Sequence, residues 1–197
     1  MKKIVTLRDG TKAVIRPLTE ADVDKSYQFF RELPDDDRMY LRIDTSDRAA
    51  VEKRLQNVGF MNVKRLVAVI GEEFVADAAL EFYPRGWKRH LAEFRLIVSS
   101  KFKRKGLGMV LAGELYELAL KDGVEEMIIE LMAPQVDARK IFERLGFTEG
   151  AVMEKYVLDA SGDKQDLIIM RCNIHIIWDK IESYYEEFET YSSQEYV

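Results

Sequence analysis

The stretch Val98-Ser99-Ser100-Lys101-Phe102-Lys103-Arg104-Lys105-Gly106-Leu107-Gly108 narrows most what this chain can fold into. The residues before it, Leu91–Val98, are rich in β-branched and aromatic side chains and read as a strand. From Gly106 to about residue 120 the apolar positions recur with helical periodicity. A strand must therefore run through a short basic, glycine-containing turn directly into a helix N-terminus. The first N–H groups of a helix have no intrahelical partner and carry partial positive charge, so phosphates bind there. Glycines let the backbone approach such a ligand without a Cβ clash, and Lys103, Arg104 and Lys105 add full charges.

Two common phosphate motifs are absent. No Gly-x-x-x-x-Gly-Lys-Ser/Thr occurs, and Leu111 stands where the third glycine of a dinucleotide fingerprint belongs. A solvated basic loop and a nucleic-acid patch are the other readings of residues 101–105. One short basic cluster is a poor electrostatic footprint for nucleic acid, because residues 1–173 are neutral overall. No nucleic-acid partner is expected.

The net charge of −5 arises entirely after residue 173, where six acidic residues oppose Lys180. That tail also carries Ile177, Ile181, Tyr184, Phe188 and Tyr191 at alternating spacings of four and three, an apolar seam along one helical face. The expected organisation is a domain over residues 1–173 and an acidic, aromatic amphipathic helix over 174–197. The seam packs on its own domain, forms a homodimer contact or lies over a substrate entrance. Length alone suits one domain with an appended element.

The longest run without a polar or charged side chain, residues 106–113, is far below the ~18 needed to span a bilayer. No membrane association is expected, and without an apolar leader the reading is cytoplasmic. Cys172 is the only cysteine and His90 and His175 the only histidines, so no intramolecular disulfide and no zinc constellation can be assembled. No metal is expected.

Residues 4–7 and 13–15 around Asp9-Gly10 read as a hairpin. Thr19 with Asp22 resembles a capping box opening a helix to about residue 33, and Asp47 caps a second helix to about residue 57. Residues 64–70, Glu73–Phe82 and Leu91–Val98 form a meander. After the helix that opens at Gly106 come a strand at 126–131, a helix at 134–145 closed by Gly146, and a hairpin of 155–158 with 166–171. The class is α/β (α+β), with antiparallel hairpins and one strand-helix-strand crossover over residues 91–131.

An Arg/Gln-x-x-Gly-x-Gly/Ala turn after a strand resembles the GNAT superfamily of acyl-CoA-dependent N-acyltransferases, over about residues 14–171. The resemblance implies a mixed, mostly antiparallel central sheet flanked by helices. It also implies that Lys103, Arg104, Lys105, Gly106, Leu107 and Gly108, with Met109 continuing the helix, hold the pyrophosphate of acetyl-CoA. Lys103 stands where Arg or Gln is usual and keeps the charge. Gln135-x-x-Ala138-x-x-Ile141-Phe142-x-x-Leu145-Gly146-Phe147 is similar to the later Asn-x-x-Ala-x-x-Leu-Tyr-x-x-Leu-Gly-Phe segment of that family. Here Gln135 replaces an Asn that contacts the pantetheine side, and Phe142 replaces a Tyr often used as general acid.

Glu93 in Ala92-Glu93-Phe94-Arg95-Leu96-Ile97-Val98 is similar to the general base of the protein-lysine acetyltransferase branch, including bacterial protein acetyltransferases. Alternation places Glu93, Arg95 and Ile97 on one face of the strand. An amine of pKa ~10.4 is mostly protonated at neutral pH, so a partly buried carboxylate is a sensible base. The amide N–H of Val98 or of its neighbour Ile97 is the expected oxyanion donor. The implied activity is transfer of acetyl from acetyl-CoA to a primary amine, with protein lysine first. A small-molecule amine or a non-catalytic acyl-CoA-binding regulatory module are the alternatives. Asp35-Asp36-Asp37 is either an attractor for a cationic acceptor or an ordinary acidic loop cap.

Overall fold

The computed structural model describes residues 2–41, 44–45, 47–56 and 62–176. In chain order the elements are β1 (Lys3–Thr6), β2 (Lys12–Pro17), α1 (Val23–Glu32), α2 (Asp35–Arg38), α3 (Arg48–Gln56), β3 (Val63–Ile70), β4 (Glu73–Phe82) and β5 (Leu91–Val98). They continue with α4 (Leu107–Lys121), β6 (Glu126–Met132), α5 (Val136–Arg144), β7 (Thr148–Leu158) and β8 (Lys164–Asn173). Among the described residues the strands make one eight-stranded sheet in the order β1-β2-β3-β4-β5-β6-β8-β7. Every neighbouring pair is antiparallel except β5 with β6, the two strands joined by α4. A mixed, mostly antiparallel sheet with helices on it is thus what the chain forms.

Strand alternation divides the core between the two faces of the sheet. Leu66, Ala68, Phe94, Met127 and Ile129 face α4, whose Leu107, Leu111 and Leu115 are at most 1% exposed. Burying each of those leucines contributes about 2 kcal/mol. Val67, Val69 and Phe74 face the other way, against Phe29 and Phe30 of α1 and Val51 and Leu55 of α3. No helix among the described residues is long and apolar enough to cross a membrane.

The Thr19 signal opens a helix as its spacing predicts, first as a short 3-10 turn over Glu20–Asp22. The Asp22 carboxylate accepts from the Thr19 N–H at 2.9 Å and hydroxyl at 2.8 Å, and from both terminal nitrogens of Arg16 at 2.7 Å. Burial alone would raise its pKa, but the bonds from Arg16 and Thr19 outweigh that and lower it to about 2. A carboxyl whose folded pKa is depressed contributes stability above its unfolded value of ~3.9, and the contribution is lost as pH falls through the folded value. Arg16 is a quarter exposed, which screens the pair. Asp22→Asn is therefore expected to cost about 1–2 kcal/mol at pH 7. Urea midpoints between pH 4 and pH 2 should also fall less steeply in the variant than in wild type. Equal slopes would show that Asp22 does not carry the acid sensitivity.

Two elements differ from the sequence expectation. β7 begins at Thr148, not at residue 155, and is an exposed edge strand with irregular register between Glu149 and Ala151 and between Met153 and Val157. With neither face buried, its sequence lacks the alternation by which a strand is recognised. The one-turn α2 also went unforeseen, since four residues after Pro34 carry no periodicity. Of the predicted C-terminal helix over 174–197, residues 174–176 are helical, while the seam from Ile177 onward, with the three placements considered for it, lies outside the described residues.

Candidate active site

β5 and β6 are bridged only at Leu91 with Glu126, Ala92 with Met127 and Glu93 with Ile128. Beyond Glu93, β5 stays paired with β4 as far as Val98 with Ala76, while β6 stays paired with β8 as far as Met132 with Leu167. The two parallel strands therefore part in the middle of the sheet, just before the turn at residues 99–106. Phe94 follows the last bridge, and its ring meets those of Phe142 and Phe147 edge-on at 5.9 and 5.6 Å.

Which N–H groups of β5 face the gap follows from the hydrogen bonds at its two ends. The carbonyl of His90 accepts from Glu125 and Glu126 on the β6 side, while the N–H of Ser99 donates to Val75 on the β4 side. Alternation between those points directs the N–H of Leu96 and of Val98 toward the parting strands, and that of Ile97 toward β4. Of the two oxyanion donors considered from sequence, Val98 faces the gap. Ile97 instead packs its side chain on the α1 and α3 layer.

The turn after Val98 leaves a run of backbone N–H groups without acceptors among the described residues. Arg104 and Gly106 have φ of 66° and 91°, and the first helical bonds run from Met109 and Val110 to the Gly106 carbonyl at 3.0 and 3.2 Å. The N–H groups of residues 104–108 thus donate to nothing among the described residues. Gly106 adopts its left-handed backbone without the strain that a Cβ adds there. Gly108 has an ordinary φ, and a Cβ on it would sit 3.7 Å from the side chains of Leu96 and Val98, an ordinary contact.

Three of the four cations of the turn, Lys103, Arg104 and Lys105, differ in their partners. Lys105 pairs with Asp9 at 2.8 Å and lies over the Phe102 ring, while its carbonyl accepts from the Arg8 N–H. The hydrogen bond from Lys105, with others from Thr11, holds the Asp9 carboxyl down at about 2. Lys103 lies 2.9 Å from Asp37, which also accepts from the Ser100 hydroxyl at 3.2 Å. Asp37 is therefore engaged with the turn through a long-range ion pair, which neither of the two readings of residues 35–37 specified. Arg104 is exposed and makes no ion pair among the described residues.

Glu93 is 8% exposed and stands directly across from Glu81. Its Oε1 lies 3.3 Å from Nε and 3.2 Å from Nη2 of Arg95, and the same Nη2 is 3.0 Å from Glu81. Glu81 also accepts from Arg65 at 3.2 Å, and Arg54 of α3 pairs with Asp77 on the same face. Burial brings the Arg65 guanidinium down to about 10, with the nearby Arg54 charge adding to the effect. Glu81, Arg65, Arg54 and Asp77 were not singled out from sequence. The available signal was a run of ionisable residues at inward positions of otherwise apolar strands, which only cross-strand register assembles.

Gln135 stands at the N-cap position of α5, and its side-chain oxygen accepts from the Met132 N–H at 2.8 Å, so that oxygen is used locally. Phe142 is 7% exposed and lies in the aromatic trio, with Phe147 at 5.5 Å. Tyr116 gives its hydroxyl to the Leu145 carbonyl at 2.5 Å, and burial raises its pKa, which unsuits it to proton transfer. Burial likewise pushes the Cys172 thiol up to about 11, so the sole cysteine is no ready nucleophile.

Known proteins share this fold. A family model described as the acetyltransferase (GNAT) family matches residues 23–147. The L-amino acid N-acetyltransferase AaaT of Escherichia coli is 26% identical over 99 residues, covering 49% of this chain and 60% of that protein. The ribosomal protein bS18-alanine N-acetyltransferase of E. coli is 32% identical over 77 residues, covering 39% of this chain and 51% of that one. The match thus spans between half and three-fifths of these curated relatives. Among solved structures, the GNAT domain of S. lividans PAT superposes with a TM-score of 0.70 at 21% identity, covering 87% of this chain and 96% of that one. The ribosomal-protein-S5-alanine acetyltransferase of Vibrio fischeri also gives 0.70, at 12% identity, covering 82% and 92%.

Proposed function

This chain belongs to the acetyltransferase (GNAT) family, and from that premise we propose that it moves the acetyl group of acetyl-CoA to a primary amine, with Glu93 as general base. The observation that carries the reading is a convergence. Unpaired N–H groups of residues 104–108, the gap between β5 and β6, the inward N–H of Val98 and the carboxylate of Glu93 succeed one another along a single stretch of chain. The pyrophosphate suits the free N–H groups of this turn, with Arg104 as an exposed cation beside them, and the pantetheine arm suits the gap. The thioester oxygen then meets the Val98 N–H, which stabilises the charge that develops as the carbonyl is attacked.

Glu93 takes the proton that turns the acceptor ammonium into an amine. The nitrogen attacks the carbonyl carbon, and the C–S bond breaks with its electron pair passing to sulfur. The second nitrogen proton goes to the departing thiolate through solvent. Phe142 has no proton to give, and none is required: a thiol of pKa ~8.5 leaves as thiolate at a cost of roughly 2 kcal/mol at neutral pH. The amine is delivered directly, so no covalent enzyme intermediate is needed.

For the acceptor we favour a lysine side chain, on the strand context of Glu93. The relatives named for L-amino acids and for an alanine of a ribosomal protein keep α-amines as the second reading. Thiol release from acetyl-CoA, measured with a lysine peptide, a peptide with N-terminal alanine and free L-amino acids, separates them. Release with the lysine peptide is expected. Release only with the alanine peptide or amino acids would move the acceptor to an α-amine. Acetyl-CoA binding without release for any amine would leave an acyl-CoA-binding regulatory module.

A further inference from the structure

The carboxylates of Glu81 and Glu93 face each other across β4 and β5, an arrangement of like charges that opposes folding unless a cation joins them. Arg95 is that cation. Its neighbour across the strands is Ala79, which in turn opposes Arg65 on β3, so one small residue separates two guanidinium groups. Both bend toward Glu81: Arg65 to one oxygen at 3.2 Å, Arg95 to the other at 3.0 Å. Arg95 reaches back to Glu93 only at 3.2 and 3.3 Å, with both nitrogens on one carboxylate oxygen.

We propose that Arg95 is a positioning residue whose charge is divided between Glu81 and Glu93, and that this division sets the basicity of Glu93. The inference rests on the reading of Glu93 as the base. A guanidinium bound fork to fork with one carboxylate would favour its ionised form strongly and make it a poor base. With no guanidinium at all, the repulsion from Glu81 would favour the protonated form, which is no base either. In this structure Arg95 bonds to both carboxylates and makes a fork-to-fork pair with neither. Arg65, at 9% exposure, is the buried anchor that keeps Glu81 in place.

The other ionisable groups on this face include Asp77 of β4 with Arg54 of α3, Arg16 of β2 with Asp22, Glu126 of β6 with Arg171 of β8 at 2.6 Å, and Glu130 of β6. Asp77 and Glu126 each have their own cation. Arg95 lies within hydrogen-bonding distance of both Glu81 and Glu93.

The division predicts shifts of opposite sign. Carbon-13 titration of the glutamate carboxyls in the full chain, at saturating acetyl-CoA, reads the midpoint of Glu93, assigned by its loss in Glu93→Gln. Arg95→Gln is expected to raise that midpoint by about one unit, and Glu81→Gln to lower it by about one unit. Arg95→Lys should fall nearer wild type than Arg95→Gln. The acid limb of kcat/KM with the lysine peptide should move in the same two directions. A residue that merely braces the sheet would lower the melting temperature and leave both midpoints in place, and that result overturns the proposal. If instead Glu93→Gln keeps full turnover while the midpoints shift as stated, the electrostatic division stands and the base assignment fails.

Discussion

Glu93→Gln is expected to reduce turnover by about 10²–10⁴-fold, the contribution typical of a positioned general base, while acetyl-CoA affinity changes less than about threefold. Glutamine keeps the shape and can still accept from Arg95, so the strand and the sheet stay in place. What is lost is the capacity to take a proton from an acceptor ammonium. Single-turnover assays at saturating acetyl-CoA read the first effect and calorimetric titration the second. Raising the pH toward that of the free amine should narrow the gap between variant and wild type, because solvent then supplies more of the reactive amine. Wild-type turnover in the variant at neutral pH would remove Glu93 from the mechanism.

The second large effect is expected at Gly106. Its φ of 91° is open to glycine and costly for a β-branched side chain, so Gly106→Val should either flip the turn or strain it. Either outcome misdirects the N–H groups of residues 104–108, and acetyl-CoA affinity should fall by about 100-fold or more, since several charge-assisted bonds are lost together. Gly108→Ala is the counterpart. Its Cβ would meet Leu96 and Val98 at an ordinary 3.7 Å, so fold and affinity should both be retained. Calorimetry with acetyl-CoA, beside free CoA and NADH, tests the pair. Equal loss in both variants would mean that glycine is needed at each position for space and not for backbone direction.

The ordering of strands and helices was legible because each signal is local. Thr19 with Asp22, Asp47 before α3, Asp122-Gly123 after α4 and Gly146 after α5 mark boundaries through bonds spanning only a few residues. The strand-turn-helix unit was legible for the same reason, since its N–H groups are freed by the geometry of one helix end. β7 was only half seen because an edge strand with two exposed faces has no alternation to read.

The site divides along the same line. Glu93, Val98 and the turn at residues 103–108 are near one another in sequence, and their grouping could be read from the chain alone. That Lys103 is held by Asp37, more than sixty residues away, could not, because no local pattern relates a one-turn helix to a distant loop. The same holds for the charges around Glu93. Arg65, Glu81 and Arg95 lie on three strands, and only the register of β3, β4 and β5 brings them onto one face.

From sequence alone, therefore, came most of the elements and the strand-turn-helix unit proposed to hold acetyl-CoA, all products of short-range backbone chemistry. Tertiary structure alone decided that β5 and β6 part after Glu93, that the N–H of Val98 faces the gap, and that Arg95 lies between two carboxylates. Those features depend on strand pairing, in which a shift of one residue would turn every side chain to the opposite face.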